Sequence, residues 1–310
     1  MDRIIGEFGA KENGPLIILI GSLHGNESAG IKAIEEVFAF INNEGIEVSG
    51  KIIGIRGNIQ AIEHKERFLD YDLNRCWTES HISHISENNV KLLFAEDREV
   101  AQLLSFFNSV NEDRYTQKIC VDLHTTSSEN GNFIVVPETS SDHPIINALK
   151  LPLILDLEKH INGTLLKYLK GRDYLAFAFE GGLMGSKVAV KLHVAGIWEI
   201  LINSGAIQED KLNGIIQIAT LLQTFAAELP HKLRVRHHYW ITEEDNFQMR
   251  PGFLNFQKVK EGEVIAEDKN GLIRAPLDGL IFMPLYQQSG NDGFFIVEEL
   301  DPLKRILNRN

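Results

Sequence analysis

The feature that most constrains this chain is the run Pro15–Ile20, six successive apolar residues closed by Gly21. A strand with one wet face alternates apolar and polar side chains, so a short uninterrupted run reads as a strand covered on both faces. From Ser28 to Ile41 the spacing becomes helical, with Ile31, Ile34, Val37, Phe38 and Ile41 on one stripe. Lys51–Ile55, Lys118–Leu123, Phe133–Val136 and Tyr174–Phe179 are further strand candidates, and Glu96–Phe107, Lys187–Ile202 and Lys211–Leu229 further helices. Strands alternating with helices predict a layered α/β fold with a mainly parallel sheet. The character changes near Pro230, after which short β-rich pieces follow (Leu233–Trp240, Gly252–Val259, Leu280–Pro284, Phe294–Glu298), punctuated by glycines. The expected organisation is an α/β domain over 1–230 and a small all-β domain over 231–310. Thr78–Asn89 is polar and reads as a surface loop.

Composition narrows the function classes. With 310 residues, 44% of them hydrophobic, a sizeable core is available. The net charge of -12 makes nucleic acid an unfavourable partner, because phosphate backbones are repelled. The two cysteines, Cys76 and Cys120, form no C-x-x-C pair, so neither a thiolate metal site nor a disulfide framework is expected, and both read as structural. The N-terminus lacks a basic segment followed by an apolar stretch, and no apolar run approaches a membrane span. A cytoplasmic protein with no membrane partner is the expectation.

Chemistry concentrates where the apolar runs end. Gly21-Ser-Leu-His24-Gly-Asn-Glu27 follows the first buried strand directly, and ligands of open α/β sheets collect outside the carboxyl ends of strands. A histidine and a glutamate three apart in a turn can face one ion, and His124, at the end of another apolar run, supplies a third ligand. Two histidines, one carboxylate and an open position suit a catalytic zinc site. Asp122 is a candidate acceptor orienting a ligand, although strand alternation leaves its direction open. In Arg67-Phe-Leu-Asp70-Tyr-Asp72-Leu-Asn74-Arg75 the arginines can face one anion, since guanidinium grips a carboxylate bidentately. The alternative is that they pair with Asp70 and Asp72 at the surface. Glu180 ends the strand Tyr174–Phe179, where partial desolvation would raise its pKa and suit a proton shuttle; the alternative is a capping or salt-bridged glutamate. Other histidines carry less. His81 and His84 read as a solvated loop pair, His237 and His238 as facing opposite sides of a strand, His193 as packed or at the surface, and His143 as part of a turn.

Together, H-G-N-E at His24–Glu27, D-L-N-R at Asp72–Arg75, D-L-H-T at Asp122–Thr125 and F-E-G-G at Phe179–Gly182 resemble the succinylglutamate desuccinylase/aspartoacylase family. The resemblance covers about residues 12–205. It implies a zinc-carboxypeptidase-like mixed sheet flanked by helices, with the C-terminal β domain capping the active site. It also implies His24, Glu27 and His124 as ligands of one zinc ion per chain, Glu180 as general base, Arg67 as oxyanion stabiliser, and Asn74 and Arg75 as the grip on the substrate's α-carboxylate. Asn58, in Arg56-Gly-Asn58, matches the family's asparagine that shapes the pocket. The family's further arginine upstream of the glutamate corresponds to Lys170 or Arg172, with Arg172 the candidate. The family's C-terminal tyrosine pair is Phe294-Phe295 here, leaving Tyr286 or Tyr239 as substitutes. The function implied is zinc-dependent hydrolysis of an N-acyl amino acid of succinylglutamate or N-acetylaspartate type. The alternatives are a metallocarboxypeptidase acting on small peptides and a non-catalytic binding protein of the same fold. The partner expected is a small molecule, and the chain is compatible with a homo-oligomer.

Overall fold

The structure, a computed structural model, describes residues 1–9, 14–87, 92–110, 114–211, 217–287 and 289–300. The chain runs β1 (Ile4–Phe8), β2 (Pro15–Gly21), α1 (Ala29–Glu44), β3 (Lys51–Arg56), α2 (Ile59–His64), α3 (Glu79–Ser86), α4 (Ala95–Ser109), β4 (Gln117–Thr126) and β5 (Asn132–Val136). It continues through α5 (Pro144–Ala148), β6 (Leu153–Leu155), α6 (Leu165–Lys170), β7 (Leu175–Leu183), α7 (Lys187–Asn203), α8 (Gln217–Ala226) and β8 (Lys232–Trp240). Short strands complete it: β9 (Gln248–Met249), β10 (Lys258–Val259), β11 (Val264–Asp268), β12 (Gly271–Arg274), β13 (Gly279–Phe282) and β14 (Asp292–Glu299).

A mixed sheet of eleven described strands has the order β1-β3-β2-β4-β7-β5-β6-β8-β14-β13-β10. β3, β2, β4 and β7 are parallel, so their carboxyl ends lie along one edge of the layer. β2 is buried throughout because helices cover both faces. Ile17 and Leu19 join the cluster of α1 and α7, whereas Leu16, Ile18 and Ile20 join that of α4 and α6. Each fully buried aliphatic side chain stabilises the fold by about 1.5–3 kcal/mol, which locks the register that places β2 and β4 side by side. Cys120 lies in the second cluster and behaves as a small apolar residue.

The change of character at Pro230 is not a break in the sheet. β8 pairs in parallel with β6 through Ile154↔Leu233, and β14 and β13 extend the same sheet. Phe133, Val135 and Ile154 share a core with Leu233, Phe282 and Phe295. Part of the C-terminal region, β9, β11 and β12, forms a separate antiparallel sheet. The strand expected over Gly252–Val259 reduces to Lys258–Val259.

Two other expectations change. Most of the supposed loop Thr78–Asn89 is helix α3, whose N-terminus is capped by the Thr78 hydroxyl accepting from His81 N. Ile85 is its one buried residue, so no amphipathic stripe signals it; Asn88 and Asn89 lie outside the described residues. The helix expected over Lys211–Leu229 is described at Gln217–Ala226, and residues 212–216 lie outside the described set. Among the described residues, no helix is long and apolar enough to cross a membrane.

Candidate active site

His24 and Glu27 sit in the tight turn between β2 and α1. Ser22 opens that turn with φ of 58°, a left-handed conformation unusual for serine, and its hydroxyl donates to Glu27 O at 2.8 Å. Gly25 is required by close approach: a Cβ there would lie 2.2 Å from the carbonyl carbon of Ala61 on α2. His124 projects from β4, the neighbour of β2, one residue past the Gly21↔Leu123 pair.

The three side chains are buried, and one donor atom from each lies within 4.8 Å of the other two. His24 Nδ1 is 2.8 Å from Glu27 Oε1, and His124 Nδ1 is 3.2 Å from Glu27 Oε2. The outer nitrogens face carboxylates, His24 Nε2 to Asp72 Oδ1 at 3.1 Å and His124 Nε2 to Asp122 Oδ2 at 2.7 Å. Each Nε2 is thus tied to an orienting carboxylate, while each Nδ1 turns inward to Glu27 and is the nitrogen placed to ligate a cation held between them. Asp122 and His124 are two residues apart, which puts them on the same face of β4 and resolves the direction that alternation left open. Burial would raise the Glu27 carboxyl, but His24 and His124 beside it hold it well below its ordinary range. For His124, burial is outweighed by Asp122 and Glu27, which push its pKa well above the usual histidine value. Two imidazole nitrogens and a carboxylate oxygen converging in a dry site, each oriented from behind, are a donor set that fits one divalent cation such as zinc.

Glu180 is paired with His124 in the β4–β7 ladder. Its carboxyl is pushed up to about 8, by burial first and then by Glu27 and Asp122, against the lowering pull of His124 and Arg67. Glu180 Oε2 is buried without a hydrogen-bond partner among the described residues. Arg67 approaches from the segment after α2, donating to Asp72 Oδ2 at 3.1 Å and Glu27 Oε1 at 3.4 Å. The pairing with Asp72 anticipated as an alternative is therefore present, but inside the site rather than at the surface. That segment is held by Glu96, fully buried at the start of α4, which accepts from the backbone N–H groups of Leu69 at 2.9 Å and Asp70 at 3.0 Å.

Asn74 and Arg75 form the short turn that follows. Asn74 Oδ1 accepts from Leu165 N at the start of α6 at 3.0 Å. Arg75 donates to Asp292 Oδ2 at 2.5 Å, and His238 Nε2 meets the other oxygen of Asp292 at 2.8 Å. Burial would lower the Arg75 guanidinium, but Asp72 and Asp292 raise it; the Asp292 carboxyl, which burial would raise, is lowered by His238 and Arg75. His24, Glu27, Arg67, Asn74, Arg75, His124 and Glu180 all line one cavity of about 120 Å³, closed on one side by the segment Met283–Leu285 and by Gln287, Gly290 and Asp292.

Two expected substrate contacts lie elsewhere. Asn58 caps α2 by accepting from Ala61 N at 3.1 Å and donates to Glu96 Oε1 at 3.0 Å; it is fully buried and does not line the cavity. Arg172 precedes β7, so at about 3.3 Å per residue the strand separates it from the Glu180 end. Its guanidinium bonds to Asn108 Oδ1, Tyr168 Oη and Phe107 O instead. Tyr286 donates to Arg250 O and Tyr239 to Asp268, and neither lines the cavity. Cys76 donates to Leu73 O, and burial pushes its thiol up to about 12. His193 is packed beneath the site on Phe179 O, and burial lowers it to about 4, so it is neutral. Asp292 and His238 were not anticipated: their link to Arg75 spans 217 positions and leaves no local signal.

The catalytic-domain model of the succinylglutamate desuccinylase/aspartoacylase family matches residues 13–182. A succinylglutamate desuccinylase of Pseudoalteromonas atlantica is 33% identical over 172 residues, 53% of this chain and 48% of that protein. Its counterpart from Pseudomonas paraeruginosa is 31% identical over 117 residues, 38% of this chain and 33% of that protein. The match thus spans half or less of these two relatives. Two solved structures have the same fold. A succinylglutamate desuccinylase/aspartoacylase from Rhodobacter sphaeroides has a TM-score of 0.66 at 18% identity, and the ectoine utilization protein EutE (DoeB) from Ruegeria pomeroyi 0.67 at 16%; each similarity covers 94% of this chain and 87% of the other. With the family model covering more than half of its length, the chain belongs to the succinylglutamate desuccinylase/aspartoacylase family.

Proposed function

We propose that this protein is a zinc-dependent amidohydrolase that cleaves an N-acyl amino acid into a carboxylate and a free amino acid. The observation that carries this reading is the convergence of His24 Nδ1, His124 Nδ1 and the Glu27 carboxylate beside Glu180, whose buried Oε2 has no hydrogen-bond partner among the described residues, in the cavity that also contains Arg75. The names of the relatives support the same reaction class. A zinc ion held by His24, Glu27 and His124 supplies a Lewis acid for the amide carbonyl and makes water more acidic. Glu180 takes the proton of the attacking water and delivers it to the departing amine as the C–N bond breaks. Arg67, with a buried Nε–H to spare among the described residues, stabilises charge developing on the carbonyl oxygen. Arg75 and Asn74 orient the substrate through its α-carboxylate.

The test is hydrolysis of N-acyl amino acids (acetyl, succinyl, formyl and fatty acyl) and of short peptides by metal-analysed protein, with and without chelator. Chelator-sensitive release of a free amino acid is expected. Peptide cleavage in its place would move the protein to the metallocarboxypeptidases, and no turnover with one metal bound per chain would make it a binding protein.

A further inference from the structure

Beyond the metal ligands and the carboxylate grip, neutral hydroxyls from Thr125–Ser128 and Thr164 line part of the cavity, and its wall has an apolar side made by Val135, Ala178, Leu157, Ile161, Leu166 and Met283. Four of these are buried, and all belong to the core shared by β5, β7 and the C-terminal strands or pack against it. Ala178 faces the same side of β7 as Glu180, two residues on, and is paired with Val135 on β5, so the apolar wall begins beside the reacting centre. The cations of the cavity are committed or wet. Arg67 is bound to Glu27 and Asp72, and Arg75 shares its charge with Asp292. Lys167 is exposed at the rim, and Lys170 is about half exposed and lies 3.8 Å from Glu158, itself part of the wall. A second substrate carboxylate pushed against this wall would lose water without gaining a buried partner, and Glu158 and Asp292 would oppose it.

We infer that the substrate carries a single carboxylate, held at Arg75, and that the rest of it is uncharged and apolar, a medium-chain aliphatic or aryl N-acyl amino acid. This rests on the reading of the site as an N-acyl amino acid hydrolase. It sets the pocket apart from one built for a polyanion such as succinylglutamate: of the two basic residues nearest before β7, Arg172 lies outside the cavity and Lys170, which lines it, is exposed beside Glu158.

The experiment uses the full chain loaded with zinc and two matched pairs, N-hexanoyl-leucine against N-succinyl-leucine and N-acetyl-leucine against N-acetyl-aspartate. In each pair kcat/KM is expected to favour the monoanion by roughly tenfold or more; equal values or a preference for the dianion overturn the inference. Lys167→Ala is expected to leave the ratios unchanged. A ratio that moves tenfold further toward the monoanion would show Lys167 gripping a second carboxylate, and would also overturn it. If the zinc-loaded protein hydrolyses no amide, the proposed reaction fails, and calorimetric titration with hexanoate and with succinate still tests the pocket. Tighter binding of hexanoate sustains the inference, and tighter binding of succinate, or binding of neither, ends it.

Discussion

Glu180 has the properties that a proton carrier needs and a structural carboxylate avoids: it is buried, beside His124, and one of its oxygens has no partner among the described residues. Replacing it by glutamine keeps the shape and removes the proton acceptor. Glu180→Gln is therefore expected to retain bound zinc while turnover falls by about 10²–10⁴-fold, checked by metal analysis and by kcat on the best substrate. The same residue leaves a mark on the stability of the metal-free protein. Its folded pKa, about 8, lies above its ordinary value, so the folded state prefers the neutral form. The resulting stabilisation is complete below the ordinary carboxyl range and is lost as pH rises toward about 8. Melting temperatures of the chelated protein should fall across that window, and Glu180→Gln should flatten the fall. Asp72, held low by His24 and Arg67 against its burial, works with the opposite sign and costs stability in acid.

At the scale of elements, the carboxyl ends of β2, β4 and β7 do the positioning, and they were legible because strands covered on both faces write uninterrupted apolar runs that stop where chemistry begins. His24, His124 and Glu180 all follow such runs. Arg172 was misplaced because a motif position records order along the chain and not which end of a strand a side chain occupies; Asn58 does follow the carboxyl end of β3, but its amide is spent on capping α2 and on Glu96. Arg172 precedes β7 and Glu180 lies toward its other end. The role of Glu96 was hidden for a different reason: a charged residue in the first turn of an amphipathic helix looks like ordinary dipole compensation, yet this one holds the backbone that carries Arg67. With Asn58 Nδ2 and two backbone N–H groups depending on it at 3.0 Å or less, Glu96→Gln is expected to cost about 2 kcal/mol or more. Urea unfolding measures this, and kcat/KM should fall in the surviving folded protein as Arg67 loses its fixed position.

For the whole molecule, the sheet continuing past Pro230 brings the C-terminal strands to Arg75 and so into the proposed substrate grip. Asp292 on β14 and His238 on β8 orient Arg75 from across the cavity. Asp292→Asn is expected to raise KM by about tenfold, the equivalent of one weakened charged hydrogen bond, with kcat and zinc content little changed. A loss of kcat with unaltered KM would remove Asp292 from substrate binding. The bond between Arg75 and Asp292 also bears on synthesis. His24, Glu27 and His124 all precede residue 125, whereas Asp292 is made 168 residues after His124, roughly 8–34 seconds later at about 5–20 residues per second. A nascent chain thus carries the proposed metal ligands well before it carries the proposed substrate grip, so metal capture can precede the completion of specificity.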